Sequence, residues 1–294
     1  MKGRVALLAL SAWAVCVARG ALAQESIGPV QRPAHAAQRP MATIDPLLAE
    51  PGWLVFETGA AFARDQEIPA VGLRGDVLRV PELTLRFSVG SRVELRVDTG
   101  YEVLLVREQR EAPLSAELDY DGESSSDIRD PVVATLIRVR DETTGGPAFG
   151  LRLATRLPVA SNESGLGLDT TDFFVSLLAA KDAGRLRWIA NLGLGILQVP
   201  TVVTSQNDVL TYGLSVSRRM GERLTIAAGV DGHVDLSGQV HPGTEDTGVV
   251  RLGGRFGGGA STIDAALLIG MAEVDAPIGI TVGVTRAFRL FDGS

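Results

Sequence analysis

Asp231, His233 and Asp235 stand two apart, a spacing that puts all three side chains on one face of an extended strand. A histidine flanked by carboxylates suits general-base chemistry, the carboxylate orienting the ring while the ring takes a proton. Such a base needs a nucleophile in reach. The turn near Met220-Gly221 places His233 opposite roughly Asp208, away from Ser215 and Ser217, so the nucleophile would have to be Ser205 in a loop. Nothing around Ser205 marks it as activated, and a polar pore lining is the simpler reading of the three residues.

Other chemistry-bearing motifs are missing. The chain has no Gly-x-Ser-x-Gly, no His-Glu-x-x-His and no phosphate loop ending in Gly-Lys-Ser/Thr. The run Gly253-Gly254-Arg255-Phe256-Gly257-Gly258 does not match a dinucleotide fingerprint, and fits a strand where backbones approach closely. With 3 His and 1 Cys the chain has no Cys-based zinc site and little room for a His-rich one. We therefore expect no catalytic residue, no metal and no cofactor. Lys+Arg is 28 against Asp+Glu 35, which excludes the basic footprint of a nucleic-acid binder.

The larger polar set is ionic. Arg86, Arg96, Arg138, Arg152, Arg156, Arg187, Arg251 and Arg255, with Glu82, Glu94, Asp98 and Glu102, alternate with apolar residues along their segments, as Asp231 and His233 do. The elements that must position them follow from that alternation. In Arg92–Val103, the residues Val93, Leu95, Val97, Thr99, Tyr101 and Val103 share one face, and Glu94, Arg96, Asp98, Gly100 and Glu102 the other. The same period of two recurs in Leu83–Val89, Phe149–Leu157, Arg187–Ile196, Thr211–Ser217, Leu224–Asp231 and Ile278–Thr285. About twelve such segments run from Trp53 to Phe288, most near the ~10 residues a tilted strand needs to cross a membrane.

Connections mostly alternate in length. The long set is 64–76, 106–131, 158–170, 199–207, 236–246 and 272–277; the short set is 90–91, 141–146, 182–184, 219–222 and 257–260. Membrane barrels pair tight periplasmic turns with longer outer loops in this way. A soluble antiparallel sandwich would also alternate. It would not need strands this long, nor a second face carrying both signs of charge. The expected fold is all-β: a transmembrane antiparallel up-and-down barrel of about 12 strands, with short periplasmic turns and longer extracellular loops. Its charged face is the lumen, and the Arg and carboxylate sets, with Asp231 and His233, are the candidate pore lining. Opposed ionic clusters there would either narrow the pore and set a transverse field or brace its wall.

Three domains follow. Lys2 and Arg4, the apolar run Val5–Ala18 and the small-x-small site Ala21-Leu22-Ala23 make residues 1–23 a signal peptide, leaving 294 − 23 = 271 residues. Cys16 lies inside the apolar run, preceded by Val15, which is not a lipoprotein context. Residues 24–51 are rich in Pro, Ala and Gln without a period, and read as a flexible linker. Residues 52–294 form the barrel. Export to the outer membrane implies insertion by barrel-assembly machinery and contact with outer-membrane lipid.

A resemblance narrows the function. Gly150-Leu151-Arg152-Leu153-Ala154-Thr155-Arg156-Leu157-Pro158 ends a strand, the polar loop Ser161–Asp169 follows, then Thr171-Asp172-Phe173, the turn Lys181-Asp182-Ala183-Gly184 and Leu192-Gly193-Leu194-Gly195. This order resembles the "MetA-pathway of phenol degradation" family of outer-membrane transporters. The resemblance implies a non-enzymatic channel or transporter passing small, aromatic or hydrophobic compounds, with no catalytic residues to carry over. A structural or plugged barrel without transport is the alternative reading, and an outer-membrane lipid-modifying enzyme built on His233 is the third.

Overall fold

The computed structural model describes residues 37–202, 205–238, 240–258 and 261–291. The expected signal peptide 1–23 and the first part of the 24–51 segment lie outside the described residues. Thirteen strands make one antiparallel sheet: β1 (Trp53–Ile68), β2 (Leu73–Ser88), β3 (Val93–Gln109), β4 (Ser124–Ile128), β5 (Val132–Arg140), β6 (Ala148–Arg156), β7 (Asp172–Ala183), β8 (Leu186–Gln198), β9 (Gln206–Arg219), β10 (Leu224–Asp235), β11 (Thr247–Gly258), β12 (Ser261–Gly270) and β13 (Ile278–Arg289). Apart from β4 and β5, consecutive strands pair with each other, and β1 pairs with β13, which closes the barrel. β4 lies on Tyr101–Leu105 of β3 and β5 on Val93–Asp98 of the same strand. Those two short strands are one stave interrupted at 129–131, so the barrel has the twelve staves the alternation implied.

Alternation assigns the faces as expected. Leu85, Leu95, Leu153, Leu177, Leu194, Leu252 and Ile280 point outward and are exposed, an arrangement stable only against lipid. Their neighbours Arg86, Glu94, Ala154, Leu178 and Asp264 point inward and are buried or nearly so. β2 is irregular near Arg74-Gly75 and again at Val80-Pro81. Pro81 has no N–H to donate, and the pairing of β2 with both neighbours shifts register across Val80-Pro81.

Two expectations about connections need correction. The stretch 64–76 is mostly strand, with the chain turning at 69–72. Arg64, Asp65, Gln66 and Glu67 break the apolar rhythm; the β1–β2 register shifts between Ala63 and Gln66 and then resumes to Ile68, with Arg74 binding Asp65 at 2.5 Å across the hairpin. The stretch 106–131 contains the end of β3, a 3-10 turn at Ser115–Glu117 and β4. The remaining long connections, 110–123, 157–171 and 236–246, sit at one end of the barrel (the loop end). The turns 89–92, 184–185 and 220–223 sit at the other (the turn end).

The interior is not uniformly polar. Ala134, Leu136, Ala154 and Leu178 make an apolar stripe on the inner face of β5–β7. At the loop end, Leu104 and Val77 of the wall pack with Ala70, Val71 and Leu114, joined by Leu118, Tyr120, Leu166 and Leu168 from the long loops. This apolar cluster caps that end of the lumen. A further correction concerns 24–51. Its described part, 37–51, is not a free linker but runs inside the barrel, with Ala37, Gln38, Thr43, Ile44, Asp45, Leu48 and Ala49 all buried. A segment with no period forms no regular element, but it can still be ordered when the wall satisfies its polar groups.

Candidate functional site in the barrel lumen

The segment 37–49 travels around the inner wall. Ala49 N–H donates to Glu94 of β3 at 2.9 Å, and Pro46 rests against Gly150 of β6. The Asp45 carboxylate takes two 2.6 Å bonds from Arg187 of β8. Ile44 and Asn191 exchange a pair of bonds, N–H to Oδ1 at 2.7 Å and Nδ2 to the carbonyl at 2.8 Å. Thr43 and Ser215 of β9 share a hydroxyl bond of 2.6 Å. Arg39 then reaches β12, β13 and β2 at once, bonding Asp264 at 3.3 Å, Thr281 at 2.7 Å and Glu82 at 3.0 Å. Its guanidinium lies flat on Gly59 and Gly283, where a Cβ would collide with it. Gln38 closes the circuit, its N–H on Glu57 of β1 at 3.2 Å and its Oε1 accepting from Arg96 of β3 at 2.7 Å.

This strap divides the lumen. On its turn-end side is a cavity of about 850 Å³, reaching the turns at Gly184, Gly221 and Gly257. On its loop-end side is a chamber of about 500 Å³, lined by Arg129, Arg152, Arg156, Phe174, Leu178 and Asn191 among others. The strap is the shared wall: Met41, Thr43, Asp45 and Leu47 border the first space, Ala42 and Ile44 the second.

The sequence-derived pore lining is inward-facing, and most of it is already paired. Arg86 bonds Glu94 at 2.9 Å and Glu57 at 3.4 Å, with all three side chains excluded from solvent. Arg96 holds Asp98 at 2.7 Å, and Thr84 donates to the same carboxylate. Glu102 is shared by Arg79 at 2.9 Å and Arg129 at 3.5 Å. Arg138 pairs with Asp141 at the turn end, Arg156 with the buried Asp172, and Arg251 with Asp231 at 2.7 Å. Arg187 collects Asp45, Asp182 and Glu142. Arg255 donates to the carbonyls of Ala37 and Arg39. Arg152 is the exception: among the described residues it has no ion pair or hydrogen bond, and its Nε, like those of Arg138 and Arg156, is buried without a partner.

Sequence reading missed Glu57, Arg79, Arg129, Phe174 and the whole strap. Glu57 was legible, since Val55, Glu57, Gly59 and Ala61 alternate with Phe56, Thr58 and Ala60. Arg39 and Asp45 lie in aperiodic sequence and carried no signal. The catalytic reading of His233 loses its geometry. His233 stands opposite Thr211 rather than Asp208, and its Nδ1 shares a 2.9 Å bond with Thr247. Asp231 is committed to Arg251. No group of three or more His, Cys, Asp or Glu suited to a metal occurs among the described residues.

No protein-family profile matches the chain. No curated protein is similar to it by sequence. Solved structures are similar in shape. The COG4313 outer membrane channel from Pseudomonas putida F1 overlays with a TM-score of 0.55 at 13% identity, covering 86% of this chain and 99% of that one. LpxR from Salmonella typhimurium overlays at 0.46 with 10% identity, covering 80% and 99%. The TodX monoaromatic hydrocarbon channel overlays at 0.45 with 11% identity, covering 84% and 93%. The first of these establishes the fold, a closed antiparallel barrel of the outer-membrane type.

Proposed function

We propose that the protein is an outer-membrane channel that passes small molecules with an apolar or aromatic body, exported by its signal peptide and inserted by barrel-assembly machinery. The observation that carries this reading is a lumen with two cavities, about 850 and 500 Å³, separated only by the strap 37–49. A barrel whose interior served only as a core would be filled by wall side chains. Here the obstruction is a strap, continuous with β1 but held to the wall by hydrogen bonds and ion pairs, which can part without breaking the sheet. The apolar cluster at the loop end, with Leu104, Leu118 and Leu166, suits entry of an apolar solute better than that of a hydrated ion. The resemblance to the MetA-pathway family points the same way and adds the class of cargo.

The test is conductance in planar bilayers with the strap free or fixed. Thr43→Cys with Ser215→Cys replaces two oxygens 2.6 Å apart by a pair close enough to bridge. The oxidised variant is expected to conduct less than wild type and to recover on reduction. Equal currents in both states would mean the solute passes beside a static strap. The second reading, a plugged structural barrel, is favoured by the same strap and predicts no current from either protein.

A further inference from the structure

We infer that the loop-end chamber is a binding site for a small organic anion, a carboxylate carried on an apolar or aromatic body, with Arg152 as its charge partner. The inference deepens the channel reading and rests on it for the ligand's route into the chamber.

The starting point is the state of the inward arginines. Arg86, Arg96, Arg138, Arg156, Arg187 and Arg251 each meet a carboxylate, and Arg255 meets backbone carbonyls. Arg152 meets neither, and its Nε, like those of the ion-paired Arg138 and Arg156, is buried without a hydrogen-bond partner. A guanidinium presents five donors in a fixed plane and does not lose its charge, so one that lines a cavity without an ion pair is available to an acceptor from outside the chain.

The carboxylates nearby are not free to serve. Asp98 is held by Arg96 and Thr84, and Glu102 is shared by Arg79 and Arg129. Asp130 accepts the N–H groups of Val159 and Ala160, both at 2.9 Å. Of the cations in the chamber wall, Arg129 is paired with Glu102 and Arg156 with Asp172, which leaves Arg152 as the one without an ion pair. Arg152 therefore offers the chamber a planar, bidentate donor fork matched to a carboxylate.

The rest of the wall selects the body of the ligand. Phe174, Leu178 and Ile44 continue the apolar stripe of β5–β7 into the chamber, and Leu166 descends from the loop above. A cavity of about 500 Å³ lies within the ordinary range for small-molecule sites, roughly 300–1,000 Å³. One charged fork beside an apolar wall in a space of that size fits an aromatic monocarboxylate. A neutral hydrocarbon would leave Arg152 bare, and a compact inorganic anion would leave Phe174 unused.

The experiment uses the full mature chain, folded in detergent, with benzoate, benzyl alcohol and inorganic phosphate as probes in equilibrium dialysis. Benzoate is expected to bind wild type at least about tenfold more tightly than either other probe, as a charge-assisted bond added to apolar contact requires. Arg152→Gln should weaken benzoate about tenfold and leave benzyl alcohol unchanged, Arg152→Lys should lose less, and Arg251→Gln should change nothing. Benzoate binding no tighter than benzyl alcohol, binding indifferent to Arg152→Gln, or phosphate bound equally well would each overturn the assignment. If Arg152→Gln does not fold, as judged by heat-modifiable migration, the wild-type ranking of the three probes and the Lys variant still decide. Conductance of the same preparations separates the two readings. A barrel that binds benzoate without conducting sinks the channel and keeps the site, and one that conducts but ignores benzoate does the reverse.

Discussion

In the turn-end half of the lumen, arginines facing inward are bound either to carboxylates or to the strap; in the loop-end half Arg152 is bound to neither. Arg86 sits between Glu57 and Glu94, and the same Glu94 also receives Ala49 of the strap. Arg187 ties Asp45 of the strap to Asp182 and Glu142 of the wall. Charges here fasten one piece of chain to another, and their fields largely cancel. Arg152 lies on the same inner face, from the same residue type and the same alternation, but the nearby Asp98 is held by Arg96 and Thr84. What separates a bracing arginine from one available to a solute is therefore the company it keeps, which period-two spacing does not encode.

That contrast breaks most severely at Arg86. Arg86→Met would leave Glu57 and Glu94 buried together without a counter-charge, and breaking such a pair costs about 3–5 kcal/mol. Arg152→Met breaks no pair and should cost far less. The temperature at which each barrel loses its compact, unboiled migration in detergent measures the difference. Equal losses would mean that Arg86 and Arg152 play the same role, and the division of the lumen would fail.

A smaller effect compares the outer face with the turn-end ionic cluster. Leu194 points outward from the middle of β8, where an arginine costs roughly 2–4 kcal/mol at mid-bilayer depth. Leu194→Arg is expected to reduce assembly more than Arg187→Leu. The network around Arg187 raises the expected cost of losing it, because three carboxylates are left facing one another. Its position near the rim lets water enter and soften that cost. Quantifying the heat-modifiable form of both variants checks the order, and a reversal would show the ionic cluster to outweigh the lipid face.

Much of this was legible in the sequence and some was not, for a physical reason. A strand between lipid and lumen has two solvents, so residues such as Leu151, Arg152, Leu153 and Ala154 report their faces directly. The twelve staves and the inward set of arginines follow from that alone. Pairing across the barrel is another matter. Arg39 joins β12 and β13 across more than two hundred residues of chain and β2 across 43, and Asp45 joins Arg187 from a stretch with no rhythm. Contacts of an irregular segment with a regular wall are fixed only by the assembled surface, so the strap reads as a linker until the wall is in place. The hairpin 64–76 was misread for a related cause. Its charged residues lie beyond the apolar band, where β1 and β2 continue pairing without a lipid face to mark them.

The gentlest prediction leaves the fold alone and asks only about charge. Arg156 and Asp172 form a pair, so replacing both, Arg156→Gln with Asp172→Asn, keeps the chamber's net charge. Arg152→Gln removes one positive charge with nothing to balance it. If solutes pass through this chamber, the single variant should shift ion preference toward cations while the paired variant should not. A unit charge about 4 Å from a permeating ion is worth about 1 kcal/mol in water, so the permeability ratio should move by about fivefold or less. The shift should be larger in dilute salt, because screening acts over about 10 Å at 0.1 M and about 3 Å at 1 M. Reversal potential across an asymmetric salt gradient reads this directly, for wild type, the single variant and the pair. A shift in the paired variant as large as in the single one would place Arg156 among the free charges. No shift in either would mean that ions do not pass Arg152, and that the path through the barrel runs elsewhere than this chamber.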